Sequence, residues 1–282
     1  MVAAAGTPHH HLGEIMAVQD MAFAPSFRVG EVIGKSLSIW FKNLLPFGVL
    51  GIVFNIPLAI VGYTLFKDLV PVQIQVSSGE PAQLPPGFGW DIFVAWLVMV
   101  VCYQLLTAAV TYGAIQRLGG HSVSIVACFG QALSRFLPVI LTGFVASLLI
   151  WLACFLLVIP GIIVALNFCV VIPVCVIEGS GVSASLSRSK DLARGYRWKI
   201  FGILLIAAVV AIVIQQALGL FIRLAASAQT SVTSVMYLGV GSFVINQAIF
   251  TTLVATIAAC VYYYLRVAKE GVDIDQIAAV FD

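Results

Sequence analysis

Charged residues are scarce in this sequence, and their scarcity excludes most classes of soluble protein. Only 9% of the 282 residues are Asp, Glu, Lys or Arg, whereas soluble domains carry about 25%. Hydrophobic residues make up 61% of the chain, and the mean hydropathy is +1.09. We therefore expect lipid to be the solvent for much of the protein. The formal net charge of +2 also excludes a strongly basic protein that binds nucleic acid.

Sequence motifs that carry out chemistry are absent as well. The six cysteines form no CxxC pair and five of them lie in apolar runs, a pattern that indicates neither a disulfide framework nor a zinc site. No HExxH, GxSxG, Walker or GxGxxG motif occurs. We predict that the protein is not an enzyme and holds no cofactor or metal. The His9–His11 run is interpreted as incidental within a flexible cytoplasmic tail, residues 1–24.

Six long apolar runs predict an all-α, polytopic membrane domain over residues 25–266. Each run is free of charge and long enough to cross about 30 Å of hydrocarbon at about 1.5 Å per residue. The stretch after Arg135 is too long for one crossing, and Pro160-Gly161 is predicted to divide it into a helical hairpin. The six spans, paired as three hairpins, are predicted at residues 43–66, 92–116, 137–159, 161–177, 200–222 and 241–265.

Polar segments are predicted to flank these spans. Residues 67–90 are rich in Pro and Gly, which favours a loop outside the bilayer, with a short β-hairpin within residues 70–76. Residues 267–282 are predicted to form a polar cytoplasmic tail. An amphipathic helix before each hairpin should lie flat at the membrane surface, with its basic side chains among the headgroups. These three helices are predicted at residues 28–42, 122–136 and 183–199.

The positions of the fourteen basic residues predict the orientation of the chain. Two of them, Lys67 and Arg223, fall on one side of the predicted spans, and twelve fall on the other. The positive-inside rule therefore places both termini in the cytoplasm. The unit of one surface helix and one hairpin occurs three times, which indicates either a central site, as in transporters, or simple duplication. The twelve cytoplasmic residues are Arg28, Lys35, Lys42, Arg117, Arg135, Arg188, Lys190, Arg194, Arg197, Lys199, Arg266 and Lys269.

Basic residues are most crowded in the third predicted surface helix. At roughly 1 kcal/mol per basic residue near the surface, this helix is predicted to attract anionic lipid headgroups. The same residues also serve as a topology determinant, and that role alone explains them equally well. Glu178 is predicted to form an ion pair with Arg188 or Arg194 that orients the helix. The candidate residues for a headgroup or a partner protein are Arg188, Lys190, Arg194, Arg197, Trp198 and Lys199.

Several amide side chains fall at the predicted depth of the hydrocarbon. Such groups usually form hydrogen bonds between helices, and this is our default interpretation. The adjacent pairs Gln215-Gln216 and Asn246-Gln247 are also candidates for lining a polar cavity, but no carboxylate accompanies them for ion coupling. The predicted intramembrane polar residues are Asn55, Gln104, Asn167, Gln215, Gln216, Asn246 and Gln247.

Two patches of the sequence resemble a known membrane module. Residues 176–198, which include Glu178, and residues 262–273, YYYLRVAKEGVD, are similar to signatures of the glycerophosphoryl diester phosphodiesterase membrane-domain family, "E…AL.RS..L..G..W" and "Y.DLR…EG.D". Ser185, Ser187 and Tyr264 depart from these signatures. The resemblance implies a module of the bacterial inner membrane tied to lipid or envelope metabolism. The catalytic barrel that follows the module in some members is not found in this sequence, so we expect no phosphodiesterase activity.

These observations predict a membrane protein that works by binding. We expect it to engage anionic lipid headgroups, partner proteins or both in bacterial envelope or lipid homeostasis. A membrane-protein partner or a second copy of the chain is the expected protein partner. The alternative is a transporter or flippase for a small molecule or a lipid, with a polar path between the hairpins.

Overall fold

A computed structural model describes residues 27–79, 81, 83–227 and 232–271 of the chain. These residues form helices joined by short connections, with no strand among them, and the predicted all-α class is confirmed. The His9–His11 run, the predicted tail over residues 1–24 and residues 272–282 lie outside the described residues. The helices are α1 Val29–Lys42, α2 Leu44–Ser78, α3 Phe88–Leu118, α4 Ile125–Ser134, α5 Phe136–Leu156, α6 Val158–Phe168, α7 Val171–Glu178, α8 Val182–Ala193, α9 Arg197–Ser227 and α10 Val232–Glu270.

Within the described residues, six helical segments are long and apolar enough to cross a membrane, so the chain is a multi-pass membrane protein. The fourth segment combines α6 with α7, and the other five each lie within one helix. Large apolar side chains such as Trp151, Phe155 and Phe221 are exposed on these segments, as expected for surfaces that face lipid rather than water. The six segments are Leu44–Val72, Phe88–Leu118, Phe136–Leu156, Val158–Glu178, Arg197–Leu224 and Tyr237–Glu270.

The first predicted loop is shorter than expected. Helix α2 continues to Ser78, so only residues 79–87 connect it to α3, and the β-hairpin predicted within residues 70–76 is wrong. Pro57 and Pro71 both lie inside α2. Each proline removes one intrahelical hydrogen bond and leaves the bonds on either side in place, so neither ends the helix.

Other predicted boundaries also differ from the structure. Helix α10 extends over Val232–Glu270, well beyond the predicted residues 241–265, because a helix satisfies its own backbone groups on both sides of the hydrocarbon edge. The second hairpin turns at Leu157, where the backbone is extended, and not at Pro160. Pro160 occupies the first turn of α6, where its missing N–H has no intrahelical partner to lose. Gly161 then lets α6 approach α5 closely, since a Cβ there would lie 2.2 Å from Cys154 Sγ.

Helix α10 lies at the centre of the helical body. It packs against α2, α3, α1 and α9, and its span is the most buried of the six, whereas that of α9 is the least buried. The Trp40 indole donates to Thr252 Oγ1 at 3.1 Å and ties α1 to α10. Where α2 meets α10, a Cβ added at Gly51 would lie 2.7 Å from that of Ala248. The charged end of α10 is thereby held among α1, α7 and α8.

The three predicted surface helices correspond to α1, α4 and α8. Helix α4 begins at Ile125, where Ser124 Oγ accepts a hydrogen bond from the Ala127 N–H at 3.4 Å. The third predicted helix ends early, at Ala193, because Gly195 takes a φ of +90° that no helix accommodates. Residues 197–199 therefore begin α9, and their assignment to the surface helix is wrong. That these helices lie flat on a membrane stays a prediction.

Candidate functional site

Most of the described basic residues gather at one end of the helical body. Helices α1, α4 and α8 lie at this end, together with the last turns of α3, α7 and α10, and we call it the basic end. Glu31 of α1 accepts a hydrogen bond from Tyr264 of α10 at 3.4 Å, which brings distant parts of the chain together here. Lys67 lies near the C-terminal end of the first span and Arg223 near the C-terminal end of the fifth span, and both of these ends point away from the basic end. The predicted separation of twelve basic residues from two is thus reproduced by the direction of the helices, as far as the described residues extend.

A charged cluster joins α7, α8 and α10 at the basic end. Arg188 Nε contacts both carboxylate oxygens of Glu178 at 3.2 Å, and its Nη2 contacts Glu270. Arg266 Nε donates to Glu270 at 3.0 Å, and the Tyr262 hydroxyl donates to Glu178 at 3.0 Å. Of the two partners predicted for Glu178, Arg188 is the one that the structure brings into contact. The three helices are cross-linked by these five side chains.

The cluster is partly withdrawn from solvent. The side chains of Arg188, Glu178 and Glu270 are 34%, 22% and 24% exposed. Burial lowers the pKa of the Arg188 guanidinium, but its hydrogen bonds to Glu270 and the charges of both carboxylates outweigh burial and raise that pKa above its ordinary value. Arg188 is therefore charged at any physiological pH. Both carboxylates accept hydrogen bonds from arginine side chains, so the cluster cross-links α7, α8 and α10.

Two further residues of the predicted headgroup set are also held by the protein. Arg197 Nε donates to Asn167 Oδ1 at 2.9 Å, and Ser189 Oγ donates to the Asn167 carbonyl at 2.7 Å. Lys199 donates to the Phe27 carbonyl at 3.2 Å, and its ammonium lies 5.6 Å from the centre of the Tyr196 ring. These contacts anchor the start of α9 to α6 and to the residues before α1.

The remaining members of the set face outward. Lys190 and Arg194 are exposed, and neither side chain forms an ion pair or hydrogen bond with a described residue. Trp198 is 85% exposed and touches only the edge of Phe201 among the described aromatic rings. Helix α8 buries Ser185 and Leu192 on its opposite face. The structure therefore separates the six predicted residues into three that hold the fold and three that remain available.

A second group of basic residues surrounds a cavity that the sequence did not suggest. The cavity lies between α1 and the end of α3, and its volume is about 320 Å³. No Asp or Glu of the described residues lines it. One signal was present in the sequence, since Lys35, Ser38 and Lys42 share a face of α1, but Arg117 is distant along the chain. The lining residues are Lys35, Ser38, Ile39, Lys42, Arg117 and Gly120.

The intramembrane amides form fewer bonds between helices than expected. Asn55 Nδ2 donates to the Gly51 carbonyl of its own helix at 2.7 Å, so the default interpretation is wrong for this residue. Asn167 does bond across helices, through its side chain and its carbonyl. Gln104 is buried against Gly143 of α5, where a Cβ would lie 2.0 Å from Gln104 Nε2. Its Oε1 has no hydrogen-bond partner among the described residues.

The two adjacent amide pairs form no side-chain hydrogen bond within the described part of the chain. Their members are half-buried except for Gln216, which is exposed. Two cavities at the depth of the spans, of about 400 and 520 Å³, are lined by apolar side chains. Neither contains any of Gln215, Gln216, Asn246 or Gln247.

Comparison with known proteins places this arrangement in a family. Residues 91–265 match the family model described as "Domain of unknown function (DUF7847)". The match covers more than half of the chain, from the first turn of α3 to Leu265 near the end of α10, and includes the Glu178–Arg188 pair. No curated protein and no solved structure matches the chain. The chain belongs to the family defined by the DUF7847 domain of unknown function.

Proposed function

We propose that this membrane protein binds anionic lipid headgroups at its basic end and serves envelope or lipid homeostasis in the bacterial inner membrane, without catalysis of its own. The observation that carries the proposal is that Lys190 of α8 and Arg194, which follows α8 directly, are exposed and have no ion-pair or hydrogen-bond partner among the described residues. The exposed ring of Trp198 follows four residues later. A basic residue near an anionic bilayer surface contributes about 1 kcal/mol. Tryptophan favours the same interfacial level.

Further features support the details of this proposal. The excess of basic residues at one end favours placing that end, with both termini, in the cytoplasm. The resemblance of residues 176–198 to a membrane module of lipid metabolism favours a bacterial inner membrane. Glu178 and Glu270 both accept hydrogen bonds from arginine, which leaves neither free to act as a general base.

The test compares two variants that each remove two exposed positive charges. Lys190→Gln/Arg194→Gln changes the basic end, and Lys67→Gln/Arg223→Gln changes the opposite end. Each protein is reconstituted with phosphatidylcholine and phosphatidylglycerol, purified, and analysed by native mass spectrometry for retained lipid. We expect the first variant to bind phosphatidylglycerol at these residues about 30-fold more weakly than wild type and so to retain less of it, because two contributions of about 1 kcal/mol are lost. Equal retention by both variants contradicts the proposal.

A transport path is the second candidate, and one observation favours it. The Oε1 of Gln104 and the Oγ1 of Thr111 are buried without a hydrogen-bond partner among the described residues, and the two lie two turns apart on α3. Buried polar atoms in lipid are costly unless water or a substrate reaches them. Thr111→Cys should react with a charged, membrane-impermeant thiol reagent if a path exists. Lack of reaction from either side of the membrane removes this candidate.

A further inference from the structure

The cavity at the end of α1 and α3 is built around three positive charges. Lys35 and Lys42 lie two turns apart on α1, with Ser38 between them, and Arg117 comes from the last turn of α3. Helix α1 buries Val32, Ser36, Ile39 and Trp40, so its basic face is turned away from the core. The volume of about 320 Å³ falls at the lower end of the range of about 300–1,000 Å³ for small-molecule sites.

The three charges have no ion-pair partner among the described residues. Neither Lys35, Lys42 nor Arg117 forms an ion pair or side-chain hydrogen bond with a described residue, and the Ser38 hydroxyl has no such partner either. Glu31, one turn before Lys35, accepts a hydrogen bond from Tyr264 and lies outside ion-pair distance of Lys35. Like charges that face one cavity repel each other, and a bound anion relieves the repulsion.

Helix capping explains only part of this arrangement. Lys42 and Arg117 lie in the last turns of their helices, where basic side chains interact favourably with the helix dipole. Lys35 lies in the middle of α1, where this effect has decayed. The helix dipole acts at each helix end separately, so it does not explain why the ends of α1 and α3 line the same cavity. The position of Lys35 and the shared cavity therefore call for another explanation.

The level of the cavity points to the source of the anion. Phe41 and Leu45, which flank Lys42 in the sequence, are 58% and 78% exposed. Apolar side chains that are this exposed in a membrane protein mark the surface that faces lipid. The basic cavity therefore adjoins apolar surface of the kind that faces lipid, and lipid phosphates lie at the edge of the hydrocarbon.

We propose that the cavity lined by Lys35, Lys42 and Arg117 is a binding site for a phosphate group, carried by a lipid headgroup or by a free phosphate compound. Lysine and arginine both bind phosphate oxygens, arginine with two parallel hydrogen bonds. The lipid source rests on the proposed function and deepens it by assigning a defined site. This site is distinct from Lys190 and Arg194, so the two assignments are separable.

A cysteine at Ser38 reports directly on occupancy of the cavity. The full chain carrying Ser38→Cys is held in an uncharged sugar detergent, which contains no phosphate. The rate of maleimide labelling at position 38 is followed by peptide mass spectrometry, which separates it from the six native cysteines. The added probes are inorganic phosphate, short-chain phosphatidylglycerol and a short-chain diacylglycerol that lacks phosphate.

We expect phosphatidylglycerol to slow the labelling at least fivefold and the diacylglycerol to have no effect. Protection by phosphatidylglycerol alone identifies a lipid headgroup as the source, and protection by inorganic phosphate as well identifies a site for any phosphate group. Lys35→Gln/Lys42→Gln/Arg117→Gln should weaken the protecting ligand by about 100-fold. Lys190→Gln/Arg194→Gln should leave protection unchanged.

Three results overturn the inference: no protection by either phosphate probe, equal protection by the diacylglycerol, or unchanged protection in the triple variant. If the triple variant does not fold, Lys35→Gln alone, in the middle of α1, is expected to weaken binding by about fivefold, and unchanged binding counts against the site. Retention of phosphatidylglycerol through Lys190 and Arg194 is measured separately. The site can therefore fail while the proposed function stands, and the reverse also holds.

Discussion

Two groups of basic residues share one end of the molecule and differ in their partners. The first group is Arg188, Arg197 and Lys199, and the second is Lys35, Lys42 and Arg117. Members of the first group contact a carboxylate, an amide oxygen or a carbonyl of the protein. Members of the second group line a cavity and form no such contact with any described residue. The first group stabilises the fold, and the second has charge left over for a ligand.

This difference shows that the density of positive charge along a sequence does not reveal what the charge does. The densest stretch, residues 183–199, supplies mainly contacts inside the protein. The sparser residues of α1 and α3 supply the unpaired charges that share one cavity. Whether a basic residue stabilises the fold or is left to bind a ligand depends on whether an acceptor of the protein lies near it. A cation that is paired within the protein has already exchanged its water for protein contacts. Substitutions that compare paired with unpaired residues test this distinction.

Arg188→Ala should have the largest effect. Its loss leaves Glu178 and Glu270 facing each other without a counter-charge. Exposed pairs contribute about 0–1 kcal/mol and loss of one partner of a buried pair costs about 3–5 kcal/mol, so this partly exposed cluster should lose about 2 kcal/mol of unfolding free energy. Denaturant unfolding in detergent measures it. The matched variant is Arg194→Ala on the same segment, for which we expect less than about 0.5 kcal/mol, and equal losses for both variants contradict the distinction.

Asn167→Leu should have the next largest effect. It removes the acceptor of Arg197 and leaves a partly buried guanidinium without its partner. A hydrogen bond to a charged group contributes about 1.5–3 kcal/mol, and we expect the lower end of this range because Arg197 is only half-buried. Asn246→Leu is the comparison, since Asn246 is half-buried and forms no side-chain hydrogen bond with a described residue. Thermal unfolding of the two variants should differ clearly, and the prediction fails if they coincide.

Lys199→Met should have a smaller effect. It keeps an unbranched chain but removes the hydrogen bond to the Phe27 carbonyl and the charge near the Tyr196 ring. An exposed cation–π contact contributes about 0.5–1 kcal/mol, so we expect a loss of about 1 kcal/mol. Lys190→Met removes the same charge from an unpaired position and should change the unfolding free energy by less than about 0.5 kcal/mol. A larger loss for Lys190→Met would reverse the assignment of the two lysines.

The triple variant of the cavity should have the smallest effect on stability. In detergent that lacks phosphate, Lys35→Gln/Lys42→Gln/Arg117→Gln removes mutual repulsion along with two favourable helix-dipole contacts of about 0.3–1 kcal/mol each. We expect these to offset and the unfolding temperature to stay near that of wild type. Addition of phosphatidylglycerol should then raise the unfolding temperature of wild type by more than that of the variant, which keeps only Lys190 and Arg194 for the lipid. A variant that is strongly destabilised without lipid would place these residues with the structural group instead.

Much of the fold could be predicted because the bilayer imposes a simple rule. A charge-free run of sufficient length must cross the hydrocarbon as a helix, since no other local structure satisfies its backbone groups. Boundaries were predicted less well, because α2 continues through Pro71 and α10 continues through polar residues. The turn at Leu157 shows the same limit, since Pro160 marks the first turn of a helix and not its break.

The candidate site could be predicted only where its members are close in sequence. Glu178 and Arg188 are ten residues apart, and a short turn after Gly179 brings them together. Glu270 is 82 residues from Arg188, and nothing in the local pattern indicates that α10 ends beside α8. Arg117 and Lys42 are also distant in sequence, and they line one cavity because α3 packs against α1.

Local chemistry was enough to predict six helices that are long and apolar enough to cross a membrane, and to predict that most of the positive charge lies at one end. Both properties follow from the transfer of single segments between water and lipid, which depends on composition and length alone. Packing decided which cations are neutralised and which remain free, since that depends on how helices distant in sequence are brought side by side. Tertiary contacts therefore decided that Arg188 reaches Glu270 as well as Glu178, and that Lys35 has no ion-pair partner among the described residues.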